Sequence, residues 1–275
     1  MKIRKNQLVI YYMLLSFFCL IAITPFIWTV LNSLKTNDEI FTRPFSLPIH
    51  PKWENFLIAW QRGNLGVYFK NSILVLIPTV VGIILSGCLA GYAFTRLKSK
   101  LIDLLFYTFL FGLTIPVQAI IIPLYYNLRS LELVDNLLGV IIPTIGASMP
   151  LSIFIMRAFF RGIPQELADA AKIDGCSEVG IFWYIMLPLA KPALSSLVVI
   201  FSLATWNDYF LPLVVLTSDA NRTLPLGVVR FQGNFSTLYN LVFSMIVLSC
   251  IPIIVIYIVF QRQFVQGMAG GALKS

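Results

Sequence analysis

Long apolar runs recur along the 275-residue chain and constrain its fold more than any other feature. Each run reaches the ~20 residues that an α-helix needs to cross about 30 Å of hydrocarbon. A backbone in lipid must satisfy its hydrogen bonds within its own segment, which favours helices. The pattern predicts an all-α, polytopic membrane protein with six transmembrane helices, at residues 8–31, 71–95, 101–124, 137–157, 192–216 and 241–260.

The composition supports a lipid environment for most of the chain. Hydrophobic residues make up 58% of it and charged residues 12%, with a mean hydropathy of +0.85. A water-soluble domain of this size cannot accommodate so much apolar surface, and the runs leave too little sequence for one. We therefore expect a single membrane domain over residues 1–275. The first run is too long for a signal peptide and lacks a small-residue cleavage pattern after it.

The basic residues indicate topology rather than nucleic-acid binding. The net charge is +8, but the cations lie scattered at the ends of apolar segments instead of forming a patch. Six crossings put both termini on one side, and a cytoplasmic placement puts 12 of the 20 Lys and Arg residues inside. The cluster Lys2–Lys5 and the short turn Arg96–Lys100 carry this orientation most strongly.

No catalytic or metal-binding constellation is visible in the sequence. The four cysteines show no disulfide or metal spacing, and His50 is the single histidine. Gly175 and Gly180 have the spacing of a phosphate-binding loop, but Ile181 and Phe182 follow where Lys and Ser or Thr are needed. We expect no catalytic residue, no metal site and no cofactor bound by this chain.

The polar segment 160–190, between the fourth and fifth runs, is too hydrophilic to span but highly organised. Pro164 suits the first turn of a helix, and Gly175 suits its C-terminal stop. Ser177 is placed to cap a second short helix with Glu178 in its first turn. The pattern predicts two short helices joined at Gly175, with small residues that would let a partner approach closely.

This segment resembles the EAA loop of importer-type ABC transporter permeases. The resemblance lies in Glu166–Gly175, followed by Ile185–Pro188 and Pro192–Leu194. The family's central triplet is often Glu-Ala-Ala, whereas Asp169-Ala170-Ala171 stands here and Glu166 precedes it. In that family the loop is the coupling helix that docks into a cleft on the ATP-binding subunit. By resemblance the ATPase-coupling residues are Glu166, Leu167, Ala168, Asp169, Ala170, Ala171, Asp174, Gly175 and Pro188.

Other segments resemble the carbohydrate-uptake branch, especially the smaller six-helix inner-membrane subunit of maltose-type importers. They are Asn32–Lys35, Asn55–Phe56, Asn71–Ser72, Trp206–Pro212, Thr223–Leu226 and Phe264–Lys274. The resemblance implies half of a pore for a sugar or oligosaccharide in the bacterial inner membrane. It also implies a second, different permease chain, two cytoplasmic ABC ATPases that carry ATP and Mg, and an extracytoplasmic sugar-binding protein.

Polar residues inside the runs are candidates for the substrate path because burying them in lipid is costly. They are Thr114, Gln118, Asn207 and Asp208, and Trp206 is placed to stack on a sugar. Bonding between helices explains Asn, Gln and Thr equally well. By resemblance the tail from Gln266 runs along the ATPase, although a frayed terminus fits it too. We expect the segment 223–240 to contact the binding protein, although a plain connector also fits.

Two other transport functions stay open at this point. A glycerol phosphate permease shares the branch pattern, but phosphate needs cations and the runs hold no central Lys or Arg. A secondary transporter needs intramembrane carboxylates, and Asp208 is the one acidic residue well within a run.

Overall fold

The computed structural model describes residues 5–231 and 237–272, in which the regular elements are helices. The chain forms two compact units. One unit extends to Gly66 and includes Gly227–Ile251, and the other comprises Val67–Leu226 and the chain from Pro252 onward.

The first unit begins with a long helix whose side chains are exposed from Leu8 to Ile27. Helix α1 (Lys5–Ser33) has no buried residue in its most apolar 18-residue window. Two short helices follow, α2 (Asn37–Thr42) and α3 (Glu54–Arg62). The exposed apolar surface of α1 fits a helix surrounded by lipid or by another subunit.

A buried lysine organises the turn after α1. Lys35 is fully buried, and its Nζ donates to the carbonyls of Arg43 at 2.9 Å and Pro44 at 3.3 Å. Its third bond goes to Oδ1 of Asn32 at 3.1 Å. Burial lowers the pKa of Lys35, and the charge of Glu39 opposes this shift. A buried ammonium with all three protons bonded fixes the local chain path.

The second unit is built around two closely packed long helices, α4 (Leu65–Arg96), which enters it at Val67, and α7 (Leu138–Arg161). A Cβ added at Gly87 would lie 1.8 Å from Oγ of Ser152. A Cβ at Gly91 would lie 2.8 Å from Cβ of Met156. The two glycines, four residues apart on α4, therefore form a close contact face with α7, as GxxxG pairs do in membrane helices.

Between these helices the chain is bent, and the predicted continuous helix at 101–124 is wrong in this respect. Helix α5 (Lys100–Phe111) leads into a 3₁₀ turn, Gly112–Thr114, and α6 (Val117–Ser130) leaves at 101°. Pro116 is extended at the break, since a proline cannot donate to the preceding turn.

The predicted run at 192–216 is also interrupted. Its helix ends at Trp206, and a second short helix starts at Phe210. Asn207 caps the first helix, and Asp208 lies in the break instead of inside a helix. The short polar segment Asn207–Tyr209 accounts for the interruption. The elements that complete the fold are α8 (Gln165–Ile173), α9 (Glu178–Ile181), α10 (Leu187–Leu189), α11 (Lys191–Trp206), α12 (Phe210–Val215), α13 (Leu224–Gly227) and α14 (Tyr239–Ala272).

Four helices of the described chain are long and apolar enough to cross a membrane: Leu8–Ser33, Leu65–Arg96, Leu138–Arg161 and Tyr239–Gln261. Two bent pairs raise the number to six if each is one span: Lys100–Thr114 with Val117–Ser130, and Glu178–Leu189 with Lys191–Trp206. The all-α, multi-pass class is confirmed. The predicted count of six holds only when each bent pair crosses once.

The apolar core of the second unit lies where α4, α6, α7 and α12 converge. Its buried members are Val75, Leu128, Val140, Ile141, Leu211, Val215, Leu216 and Leu226. These residues come from segments far apart in the chain, so the core fixes the bent elements against the long helices.

Candidate functional site: a helical hairpin and a cavity

The segment between α7 and α11 folds as a helical hairpin, as the sequence predicts. Helix α8 follows Pro164, carries Glu166 in its first turn and ends before Gly175. Gly175 has a φ of +81°. Behind the turn, the amide of Cys176 donates to the carbonyl of Ala171 at 2.9 Å, which closes the helix end.

Helix α8 buries only a narrow face. Ala168 and Ala171 are buried, and their small side chains allow the helix to lie close to the rest of the fold. The other predicted coupling residues of α8, together with Asp174, Gly175 and Pro188, are exposed. Leu167 is 45% exposed and Ile173 is 87% exposed, so the outward face is partly apolar. Such a face on a short helix is suited to docking into a groove of a partner.

The second arm of the hairpin is capped and joined to α4. Oγ of Ser177 accepts a 3.2 Å bond from the amide of Gly180, as predicted for its N-cap. The carboxylate of Glu178 receives three side chains: Tyr92 Oη at 3.0 Å, Arg96 Nη2 at 3.3 Å and the ammonium of Lys172. We name these four side chains the Glu178 clamp.

The Glu178 clamp is an electrostatic junction at the surface of the loop. The hydrogen bond from Lys172, with those from Tyr92 and Arg96, outweighs partial burial and lowers the pKa of Glu178 from 4.5 to about 2. The carboxylate is therefore ionised at neutral pH. Sequence reasoning assigned Glu178 only to a first helical turn. Its contacts with Tyr92 and Arg96 join residues more than 80 positions apart, so no local sequence signal could have found them.

Aromatic rings support the same junction from the apolar side. The ring of Tyr92 lies 5.8 Å from that of Phe160 and 5.2 Å from that of Phe182. Phe160 and Phe182 are both buried. The hairpin is thus held to α4 and to the end of α7 by packing as well as by charge.

A cavity of about 640 Å³ lies in the second unit, beside the helix breaks at Pro116 and at Asn207–Tyr209. Its apolar lining comes from α6, α7 and α12, and its polar lining consists of the side chains of Gln118, Thr144, Ser148, Thr205 and Asp208. No Lys, Arg or His lines it among the described residues. An apolar wall with a few convergent polar groups is the usual construction of a small-molecule site.

Two of the five predicted substrate-path residues, Gln118 and Asp208, line this cavity. The hydroxyl of Thr114 bonds to the carbonyl of Phe111 at 2.8 Å. The side chain of Asn207 bonds to the carbonyl of Leu203 at 2.9 Å. Trp206 is buried, with its ring 5.7 Å from that of Phe69, so it does not offer a face for stacking in this conformation.

Thr144, Ser148 and Thr205, which complete the polar wall, were not among the residues predicted from the sequence. Thr144 and Ser148 are four residues apart on α7 and so share one face. That spacing of small polar residues in an apolar run was the available signal.

The loop at residues 216–224 is held by hydrogen bonds to Asp135, before α7, and to Asn71 of α4. Asp135, which has a φ of 57°, accepts from the amides of Thr217 at 2.9 Å and Ser218 at 2.8 Å. The amide of Asn71 donates to the carbonyls of Ala220 and Arg222. Of the segment predicted to contact a binding protein, residues 232–236 lie outside the described part, as do residues 273–275 of the predicted ATPase-contacting tail.

Known proteins resemble the chain over nearly its whole length. It is 34% identical over 263 residues to the arabinooligosaccharides transport system permease protein of Halalkalibacterium halodurans, covering 94% of each chain. It is 31% identical to the diacetylchitobiose uptake system permease protein of Streptomyces coelicolor, covering 95% of this chain and 87% of that one.

A solved bacterial ABC transporter involved in import of the acidic polysaccharide alginate has a chain of the same fold. The TM-score is 0.82 at 24% identity, covering 96% of this chain and 99% of that one. The family described as binding-protein-dependent transport system inner membrane component matches residues 79–270. The chain therefore belongs to the binding-protein-dependent transport system inner membrane components, the non-catalytic permease subunits of ABC transporters.

Proposed function

We propose that this chain forms half of the translocation pore for a neutral sugar or oligosaccharide and couples to cytoplasmic ATPases through α8. The observation that carries the coupling role is the hairpin itself. It presents an acidic and partly apolar helix face, with Glu166, Leu167 and Asp169 exposed, on a base fixed by the Glu178 clamp. A face so exposed and so firmly supported suits the transfer of force from a partner.

The complete importer would contain a second, different permease chain, two ATPase copies and an extracytoplasmic sugar-binding protein. ATP and Mg would bind the ATPase copies, and this chain would hold no cofactor. Both termini would lie in the cytoplasm, and residues 1–275 would act as one membrane domain. ATP-driven closure of the ATPases would move the coupling helices and alternate the access of the pore.

The cavity supports a saccharide as cargo. Its volume of about 640 Å³ suits a few sugar rings, and its hydroxyl, amide and carboxylate groups bond to sugar hydroxyls. The two relatives are named for transport of arabinooligosaccharides and of diacetylchitobiose. A phosphate-bearing solute such as glycerol phosphate would need cations, which this wall lacks among its lining residues.

A reconstitution experiment tests the proposal directly. The complete complex, in liposomes with the binding protein, should take up labelled oligosaccharide only when ATP is present. Omitting the ATPase subunits should abolish uptake. Uptake driven by an ion gradient without them would establish the secondary-transporter alternative and contradict the proposal.

The choice of cargo is tested in the same liposomes by competition. Unlabelled neutral oligosaccharides should compete for uptake, whereas glycerol phosphate should not. Competition by glycerol phosphate alone would contradict the saccharide assignment and leave ATP coupling intact.

A further inference from the structure

A second cavity, of about 390 Å³, lies at the turn between α4 and α5 and is lined by cations. Four basic side chains surround it, Lys98, Lys100, Arg157 and Arg161, with a single carboxylate, Asp103. Excess cations at the end of a span are expected from membrane topology alone. Their convergence on one concave site is an additional feature that topology does not require.

The one carboxylate is already neutralised. Asp103 accepts a 2.9 Å bond from Nη2 of Arg157, and Nε of Arg157 donates to the carbonyl of Phe94 at 3.2 Å. The guanidinium also lies 3.7 Å from the ring centre of Phe106. Arg157 is therefore a fixed part of the wall, and its charge is balanced within the fold.

The other three cations have no such balance. Lys98, Lys100 and Arg161 are exposed and form no ion pair with any carboxylate in the described part of the chain. Three uncompensated positive charges around one cavity favour an anion with several oxygen acceptors, such as a phosphate group.

The surface beside the cavity is apolar. Leu97 lines the cavity and is 56% exposed, while Leu101 and Leu104 on α5 are more than 60% exposed. A soluble anion gains nothing from these side chains. An amphiphile with an anionic head and hydrocarbon tails would satisfy both halves of the surface at once.

From this arrangement we propose that the turn between α4 and α5 binds the headgroup of an anionic phospholipid, with its acyl chains along the exposed leucines of α5. The site is independent of the transported solute and of the ATPase. It would anchor the base of α4 to the lipid leaflet. The nearest cavity cation, Lys98, is two residues from Arg96 of the Glu178 clamp.

Native mass spectrometry of the purified full-length permease complex in an uncharged detergent tests the proposal. Added phosphatidylglycerol should bind, and phosphatidylcholine should bind much more weakly. The triple variant K98Q/K100Q/R161Q should bind phosphatidylglycerol on the order of 100-fold more weakly, since each cation near the surface contributes about a fivefold effect. Arg157 is left unchanged because it supports the fold.

The matched control is R43Q/K70Q/R129Q, which removes three exposed cations that do not line the cavity. It should retain wild-type lipid binding. If the triple cavity variant unfolds, the single variants K98Q and K100Q replace it, each with an expected loss of about fivefold.

Several results would overturn the assignment. Equal retention of phosphatidylglycerol by the cavity variant and the wild type would show that the cavity is not the site. An equal loss in the control would indicate a nonspecific charge effect. Competition by millimolar inorganic phosphate as strong as that by phosphatidylglycerol would assign the site to a soluble anion instead.

Discussion

Glu178 and Tyr92 are 86 residues apart in the chain, and their side chains are joined by a 3.0 Å hydrogen bond. Tyr92 belongs to a long apolar helix, whereas Glu178 begins the second arm of the loop hairpin. Because Lys172 and Arg96 bind the same carboxylate, one residue connects α8 to α4.

The variant E178Q tests this connection. The amide keeps the size of the side chain but loses the charge that holds two cations, so the hairpin should move independently of α4. About half of the carboxylate side chain is exposed, so the loss of stability should be at most about 1 kcal/mol. Sugar uptake per ATP hydrolysed should fall several-fold in proteoliposomes, while complex assembly persists. The control is E54Q, which removes the carboxylate of the solvent-exposed Lys52–Glu54 ion pair. Its sugar uptake per ATP hydrolysed should equal that of the wild type.

Gly175 should be intolerant of branched side chains for a purely backbone reason. A Cβ there meets no atom within 4 Å, but the φ of +81° disfavours any β-branched residue. G175V should cost about 1–2 kcal/mol and displace α8, and thus abolish uptake. G175N should be milder, because asparagine adopts this region more readily. Equal uptake by G175V and the wild type would contradict the role of the turn in coupling.

Gly87 should be intolerant for the opposite reason, which is lack of space. G87A would force a methyl group into Ser152, and overpacking of this kind costs about 1–3 kcal/mol. Gly146 on α7 is the matched control, since a Cβ there meets nothing within 4 Å. G146A should be neutral or slightly stabilising. Thermal unfolding of both variants in detergent gives the comparison, and equal midpoints would refute the close contact.

Asp208 and its neighbour Asn207 offer a matched pair for the cavity. D208N removes the charged acceptor from the wall, so the apparent KM for the sugar should rise about tenfold or more. N207A removes a side chain that bonds within its own helix and does not line the cavity, so uptake should change little. Similar kinetics for D208N and the wild type would exclude Asp208 from sugar binding.

Asp135 should make the loop at residues 216–224 sensitive to acid. Partial burial raises its pKa, but amide donors from Ser218 and Thr217 outweigh this and hold the pKa below its ordinary value of 3.8. A carboxylate whose pKa is lower in the folded state stabilises the protein at pH values above its unfolded-state pKa. This contribution is lost as the pH falls through the folded-state pKa. The variant D135N keeps an acceptor but does not titrate. The difference between wild-type and D135N unfolding temperatures should shrink from pH 7 to pH 3, and parallel curves would contradict this.

Hydropathy and local signals predicted much of this architecture. The apolar runs located the long helices, and the caps at Ser177 and Gly175 predicted the hairpin, because both depend on neighbouring residues in sequence. The break at Pro116 was not predicted, since a proline inside an apolar run commonly produces only a kink. The break at Asn207–Tyr209 was hidden because averaging over about 20 residues conceals three polar ones.

The cavity and the clamp depended on contacts between distant segments. Thr144 on α7 and Thr205 on α11 meet at one wall only because the helices pack in a specific register. The same holds for Tyr92, Phe160 and Phe182 around Glu178. A single sequence carries no direct record of such pairings, and for this reason Trp206 was assigned to the path although it packs inward.

The tight seam between α4 and α7 has a practical consequence for measuring motion in the importer. Gly87 and Gly91 let α4 pack directly against Ser152 and Met156 of α7, and a change of register between the two helices would break this close packing. Paired spin labels at solvent-accessible ends of these helices should therefore report a constant separation through the transport cycle. That pair would serve as an internal distance standard, against which changes in distance to the hairpin of α8 and α9 could be calibrated.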